Sequence, residues 1–165
     1  MPKKKTLTEV PKSEKDQPPG TPLYYEAVGR RKLASARVRL YVTYNENFQL
    51  PDNTSPTRGS LIINGKDAGK YFIGEIYKKL YLEPFRTTNT LNRFVTLIKV
   101  NGGGINGQLE AIIHGISRAL VKVDADKYRP ILRKRGFLTR DPRAKQRRKA
   151  GFSGKSRARK QSPKR

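Results

Sequence analysis

Gly102, Gly104 and Gly107 fall at the G-x-G-x-x-G spacing with which a strand-to-helix turn cradles the pyrophosphate of a dinucleotide. Such a site also needs an acidic residue about 20 positions further on, at the end of a second strand, to hold the ribose. Asp124 and Asp126 stand near that distance but follow a helical pattern rather than a strand. A P-loop is excluded more firmly, because Gly107-Gln108 stands where Gly-Lys-Ser/Thr is required. The run Gly102-Gly103-Gly104 keeps two compatible uses. Consecutive glycines admit the positive φ of a tight turn, and bare backbone lets a nucleic-acid phosphate reach the N–H groups at a helix start.

The other reactive side chains point away from catalysis. His114 is the only histidine and there is no cysteine, so neither a thiolate metal site nor an imidazole cluster is available. A catalytic histidine needs an orienting partner and a site, so His114 reads as a helix residue. No paired acid, base and phosphate-binding lysine accompanies the glycine loop, which argues against a phosphoryl-transfer enzyme. Catalytic residues, metals and cofactors are all expected to be absent.

Cations are what the chain has in excess. Thirty-seven Lys and Arg against thirteen Asp and Glu leave a net charge of +24, which implies a polyanionic partner. Residues 127–165 hold seventeen cations and one acid, a net +16 in about a quarter of the length. Apolar residues are too sparse there to offset the entropy of ordering, so this stretch should stay unfolded until a partner neutralises it. About thirty residues beyond Gly136 reach up to about 100 Å when extended, far beyond a small domain's radius. A second cluster, Arg30, Arg31 and Lys32 with Arg37 and Arg39, has no acid between Glu26 and Glu46 in the sequence, and phosphate binding is its better reading.

These residues must be held by one small core, which is all that 165 residues allow. Residues 1–23, with five prolines, read as a flexible extension and 45–58 as a loop. Tyr25, Ala27 and Gly29 alternate with Glu26, Val28 and Arg30, and Val38, Leu40 and Val42 with Arg37 and Arg39. The pattern predicts a hairpin with both arginines on one face. A short strand ends at Asn64-Gly65, and "KDAGKYF" begins helical material. Ile76, Leu80 and Phe85 give a weaker helical stripe that Pro84 interrupts. Residues 94–100 alternate as a central strand. Ile105, Leu109, Ile112, Ile113, Ile116, Leu120 and Val123 mark one face of a long helix, with Arg118 and Lys122 on its polar side. "DKYRPILRKR" is a second helix, stopped at Gly136. The expected fold class is α+β, a mainly antiparallel sheet covered on one face by helices. Domain boundaries are placed at 1–23, 24–128 and 129–165, the last being the basic tail. No stretch is long and apolar enough for a membrane span, and the N-terminus has no apolar core of a secretory signal.

Four ordered motifs, "AVGRRKLASARVRLY", "INGKDAGKYF", "VNGGGINGQLEAIIHGISRALV" and "RGFLTRDPRAKQRRKAG", resemble the bacterial-type form of the universal ninth protein family of the small ribosomal subunit. The resemblance covers about residues 24–165. It implies a non-enzymatic structural constituent of the small subunit, cytoplasmic within the ribosome, with a split βαβ fold and a left-handed crossover. It also implies binding to ribosomal RNA in the head, beside neighbouring head proteins, the seventh, tenth and fourteenth. The expected RNA-binding residues are Arg30, Arg31, Lys32, Arg37, Arg39, Gly102, Gly103, Gly104, Arg118, Arg133, Lys134, Arg135, Arg140, Arg143, Lys145, Arg147, Arg148, Lys149, Lys155, Arg157, Arg159 and Lys160. Lys164 and Arg165 match the family's terminal pair, which approaches the peptidyl-site tRNA. Family members commonly end in an aromatic residue followed by Ser-Lys-Arg. Here Gln161-Ser162-Pro163 precedes the pair, so the aromatic stacking contact is missing. A nonspecific basic nucleic-acid-binding protein is the alternative reading.

Overall fold

The structure, a computed structural model, describes residues 24–42 and 57–147. Strands β1 (Tyr24–Arg31) and β2 (Ala34–Val42) form the expected hairpin, closed by Lys32 and Leu33, with Lys32 in the left-handed region at φ 51°. Strand β3 (Leu61–Ile63) turns back at once into β4 (Lys66–Asp67). Asn64 and Gly65 between them have φ of 49° and 78°, the double positive φ of a two-residue hairpin turn. Helix α1 (Ala68–Tyr71) and helix α2 (Glu75–Thr87) lead to strand β5 (Phe94–Asn101), followed by α3 (Ile105–Val123) and α4 (Ala125–Lys134).

The sheet order is β1-β2-β5-β3-β4. Pairing is antiparallel for β1–β2, β2–β5 and β3–β4, and parallel for β3–β5. The fold is therefore α+β, as expected, but its sheet is mixed. The two parallel strands are adjacent rather than split by another strand, because the intervening chain forms α2 and delivers β5 directly beside β3. Asn64 extends this junction with its side chain, donating to the Val100 carbonyl at 3.0 Å and accepting from the Val100 amide at 2.9 Å.

Period-2 alternation divides the sheet as the sequence predicts. Ala27, Ala36, Val38, Leu40, Ile98 and Val100 face a core completed by Leu109, Ile112, Ile116 and Leu120 of α3. Helix and strand meet backbone to backbone. A Cβ on Gly29 would overlap the Ala111 carbonyl oxygen, and one on Gly115 would stand 2.7 Å from Val38 Cγ2. Ala27, Gly29, Ala111 and Gly115 thus seat α3 low on β1, and residues 114, 118 and 122 run along that strand's free edge. The Arg30 amide donates to His114 Nδ1 at 3.4 Å, Arg118 Nη1 to the Val28 carbonyl at 2.5 Å, and Lys122 Nζ to the Glu26 carbonyl at 2.7 Å.

Three expectations need correction. "KDAGKYF" opens with β4 before any helix, because Asn64-Gly65 makes a tight turn that pairs Lys66 with Ile63. Helix α2 continues through Pro84, and its buried residues are Tyr81, Pro84 and Phe85. Ile76 is 74% exposed and Leu80 37%, because the aromatic side chains turn the opposite arc inward: Phe72 stacks on Tyr77 at 5.8 Å. The body also runs past residue 128. Leu132 of α4 is fully buried, and Phe137 and Leu138 pack against the core beyond the Gly136 turn.

Candidate nucleic-acid interface

The outer face of the sheet carries the cations of the hairpin. Arg37 of β2 stands directly opposite Val28 of β1 and Lys99 of β5, and Arg30 opposite Ser35. Arg30, Arg37 and Lys99 are all exposed. Directly opposed side chains have Cβ atoms roughly 5 Å apart, and like charges in that relation are destabilising. Neither Arg37 nor Lys99 has an acidic partner among the described residues. Lys99 escapes the sequence reading. Its position in the polar phase of β5 is visible, but the register that sets it against Arg37 is not.

Arg39, one step along the same face, is accommodated differently. Its Nε is 2.7 Å from Glu26 Oε2, and its guanidinium lies 4.7 Å from the centre of the Tyr24 ring. Sequence proximity hides this pairing, which the hairpin register creates.

At the end of the sheet the hairpin turn meets the triglycine loop. Gly102 and Gly103 have φ of 74° and 64°, and a Cβ on Gly102 would stand 2.5 Å from the Leu33 carbonyl oxygen, so the fold itself requires both. Gly104 has φ of −103° and nothing within 4 Å of an added Cβ; the fold leaves it bare without needing to. Gln108 fastens the loop, donating to the Gly102 carbonyl at 3.1 Å and accepting from Tyr71 Oη at 2.9 Å. A cavity of about 770 Å³ opens here, lined among others by Lys32, Leu33, Tyr77, Gly104, Ile105 and Lys145. Sequence-distant candidates Lys32, Gly103, Gly104 and Lys145 are brought together at this one end.

Other candidates are placed elsewhere or occupied. Arg31 points to the core face and is 8% exposed. Its Nε pairs with Glu110, Nη2 lies 2.9 Å from Asp141 Oδ2, and Nη1 donates to the Arg143 carbonyl at 2.7 Å. Arg31 thus meets acids despite the acid-free stretch around it, because its partners are 79 and 110 positions away in the chain. Arg118 uses one guanidinium nitrogen on the edge of β1. Arg133 and Lys134 are exposed on α4, and Arg135 is 3.9 Å from Glu83. Arg140, Lys145 and Arg147 are exposed, and Arg143 folds back on Asp141. Arg148, Lys149, Lys155, Arg157, Arg159, Lys160, Lys164 and Arg165 lie outside the described residues.

His114 is half-buried between β1 and the segment after α4. Burial holds its imidazole below the ordinary value, assisted by Arg118 and Arg140 and opposed by a hydrogen bond to the Leu138 backbone. Among the described residues no group of three or more acidic or imidazole side chains is arranged to hold a metal ion. No described helix is long and apolar enough to cross a membrane.

The arrangement suits a polyanion. Unneutralised cations lie on a pleated surface, and a glycine loop leaves a helix start uncovered beside two lysines. A family model described as ribosomal protein S9/S16 matches residues 29–165, which begins within β1 and takes in β2, the triglycine loop, helices α1 to α4 and the basic C-terminal stretch. That family consists of structural proteins rather than enzymes. The match extends over most of the 165 residues, so the chain belongs to the ribosomal protein S9/S16 family and is a structural constituent of the small ribosomal subunit.

Proposed function

We propose that this protein binds ribosomal RNA in the head of the small subunit through the outer face of its sheet and the triglycine end, while its C-terminal tail reaches the peptidyl-site tRNA. The observation that carries the RNA reading is the pairing of Arg37 with Lys99. Two like charges held opposite one another oppose folding, and a phosphate seated between them reverses the sign of that interaction. Arg30, Lys32 and Lys145 extend the patch toward Gly104, where a backbone phosphate can approach the first amides of α3. The family membership and the concentration of cations in residues 127–165 support the tail's role. Arg165 supplies a planar fork suited to phosphate oxygens, with Lys164 beside it as a point charge. Neighbouring head proteins, the seventh, tenth and fourteenth, complete the setting, in a cytoplasmic ribosome.

The test is a binding titration against the head-domain fragment of small-subunit ribosomal RNA and against bulk RNA, at several salt concentrations. Replacing Arg37 and Lys99 by Ala is expected to weaken binding to the head fragment while the protein stays folded. Equal affinity for both RNAs would favour a nonspecific binder. For the tail, removing Lys164 and Arg165 should leave incorporation into the subunit intact and weaken tRNA retention in the peptidyl site. Loss of incorporation after so small a deletion would overturn that division of labour.

A further inference from the structure

The nitrogens of the Arg31 guanidinium are distributed over two partner elements. The side chain starts at the end of β1; Nε pairs with Glu110 on α3, Nη2 with Asp141 and Nη1 with the Arg143 carbonyl. The chain it reaches is itself stiff. Asp141 Oδ1 accepts from the Arg143 amide at 2.9 Å, and the Arg143 side chain closes onto both carboxylate oxygens, at 3.0 Å from Nε to Oδ1 and 2.7 Å from Nη2 to Oδ2. Pro142 between them fixes its own φ and restricts Asp141 before it. Upstream, the Phe137 amide donates to the Leu132 carbonyl at 3.1 Å, and Phe137 and Leu138 rest on the core. Contacts thus recur from α4 to Arg143, at Phe137, Leu138, Thr139, Asp141 and Arg143.

We propose that Arg31 is a positioning residue, a clasp that sets the direction in which the chain beyond Arg143 leaves the body. A surface ion pair of ordinary kind would not need a buried arginine whose planar fork meets three separate acceptors. A lysine at this position presents a point charge and cannot span them. The clasp acts before any RNA is met, and its value for function rests on the reading of the tail given above. A cationic chain whose root is fixed samples fewer directions before it meets RNA, so less ordering is left to the binding step.

The chain has no cysteine, so two introduced cysteines give unique labelling sites. Nitroxide labels on Lys78→Cys in α2 and Gln146→Cys beyond the clasp report the distance distribution in the full-length protein without RNA. A single narrow distribution is expected in the parent. It should become roughly twofold broader in Arg31→Gln, in Arg31→Lys and in Asp141→Asn, as local opening releases the segment. Asp141→Asn changes no core residue and carries the test if Arg31→Gln fails to fold, which circular dichroism reports. A parent distribution as broad as that of the variants, or variants as narrow as the parent, overturns the clasp. Because RNA is absent, the clasp and the RNA-binding reading can fail independently.

Discussion

Arg30 and Arg31 are adjacent in sequence, yet they belong to two regions that handle charge in opposite ways. On the outer face of the sheet, Arg30, Arg37 and Lys99 stand exposed with no acid to meet them among the described residues. At the tail root, one peptide bond away, Arg31 is buried and meets two carboxylates and a carbonyl. The alternation of a strand is enough to send them apart. A cluster of cations in a sequence is therefore not one feature. Arg31 and Arg39 are spent within the body, and Arg30, Lys32 and Arg37 are left without an acid among the described residues.

The sharpest way to break this contrast is to truncate one member of each region. Arg31→Ala leaves Glu110 and Asp141 without their shared cation and should lower stability by about 2 kcal/mol, since partial solvent access to both acids reduces the penalty of a fully buried broken pair. Thermal unfolding should show this as a midpoint several degrees lower; an unchanged midpoint would place Arg31 with the solvated cations. Arg37→Ala and Lys99→Ala should do the reverse, leaving the midpoint unchanged or raising stability by about 0.2–1 kcal/mol as the like-charge pair is relieved. Each should also reduce the salt dependence of RNA binding by about 0.7–0.9 in slope, one phosphate contact apiece. A stability loss in either variant would mean that the outer face is structural after all.

Acid separates two titratable groups near the tail root. The Arg143 side chain, then its backbone amide and Arg31, hold the Asp141 carboxylate well below the usual range. Its contribution is full above about pH 3.9 and is lost only as pH falls through the much lower folded value. His114 acts with the same sign but nearer neutrality. Its folded form favours the neutral imidazole, so stability should begin to fall as pH drops below about 6.5 and level off below the folded value. Denaturant melts from pH 8 to 4.5 should show this decline in the parent and not in His114→Gln. The smallest effect belongs to Arg39→Lys, which keeps the charge beside Glu26 and loses the planar contact with Tyr24. It should cost less than about 1 kcal/mol and leave RNA affinity nearly unchanged.

What the sequence discloses follows from the range of each interaction. The hairpin, the central strand and α3 are written in local periodicity, and the buried positions Val38, Ile98 and Ile116 sit where alternation and the helical stripe place them. Phe85 belongs to the stripe that the sequence offers and is buried, but Tyr81 is obscured because Ile76 and Leu80 complete that stripe equally well, and only contact with Phe72 turns the tyrosine arc inward. Gly102 and Gly103 are legible as turn residues, while the freedom of Gly104 depends on what surrounds it. The fate of Arg31 was hidden for a stronger reason: its partners come from α3 and from beyond α4, and nothing local announces them.

The seal along the free edge of β1 bears on the protein's life outside the ribosome. A strand edge with open amides and carbonyls is a template for adding the strand of another molecule. Three side chains of α3, four residues apart, take up alternate groups of that edge, and at the other margin β4 is only two residues long. A newly made copy not yet assembled into a subunit therefore offers little purchase for aggregation by strand addition, and its net positive charge adds mutual repulsion.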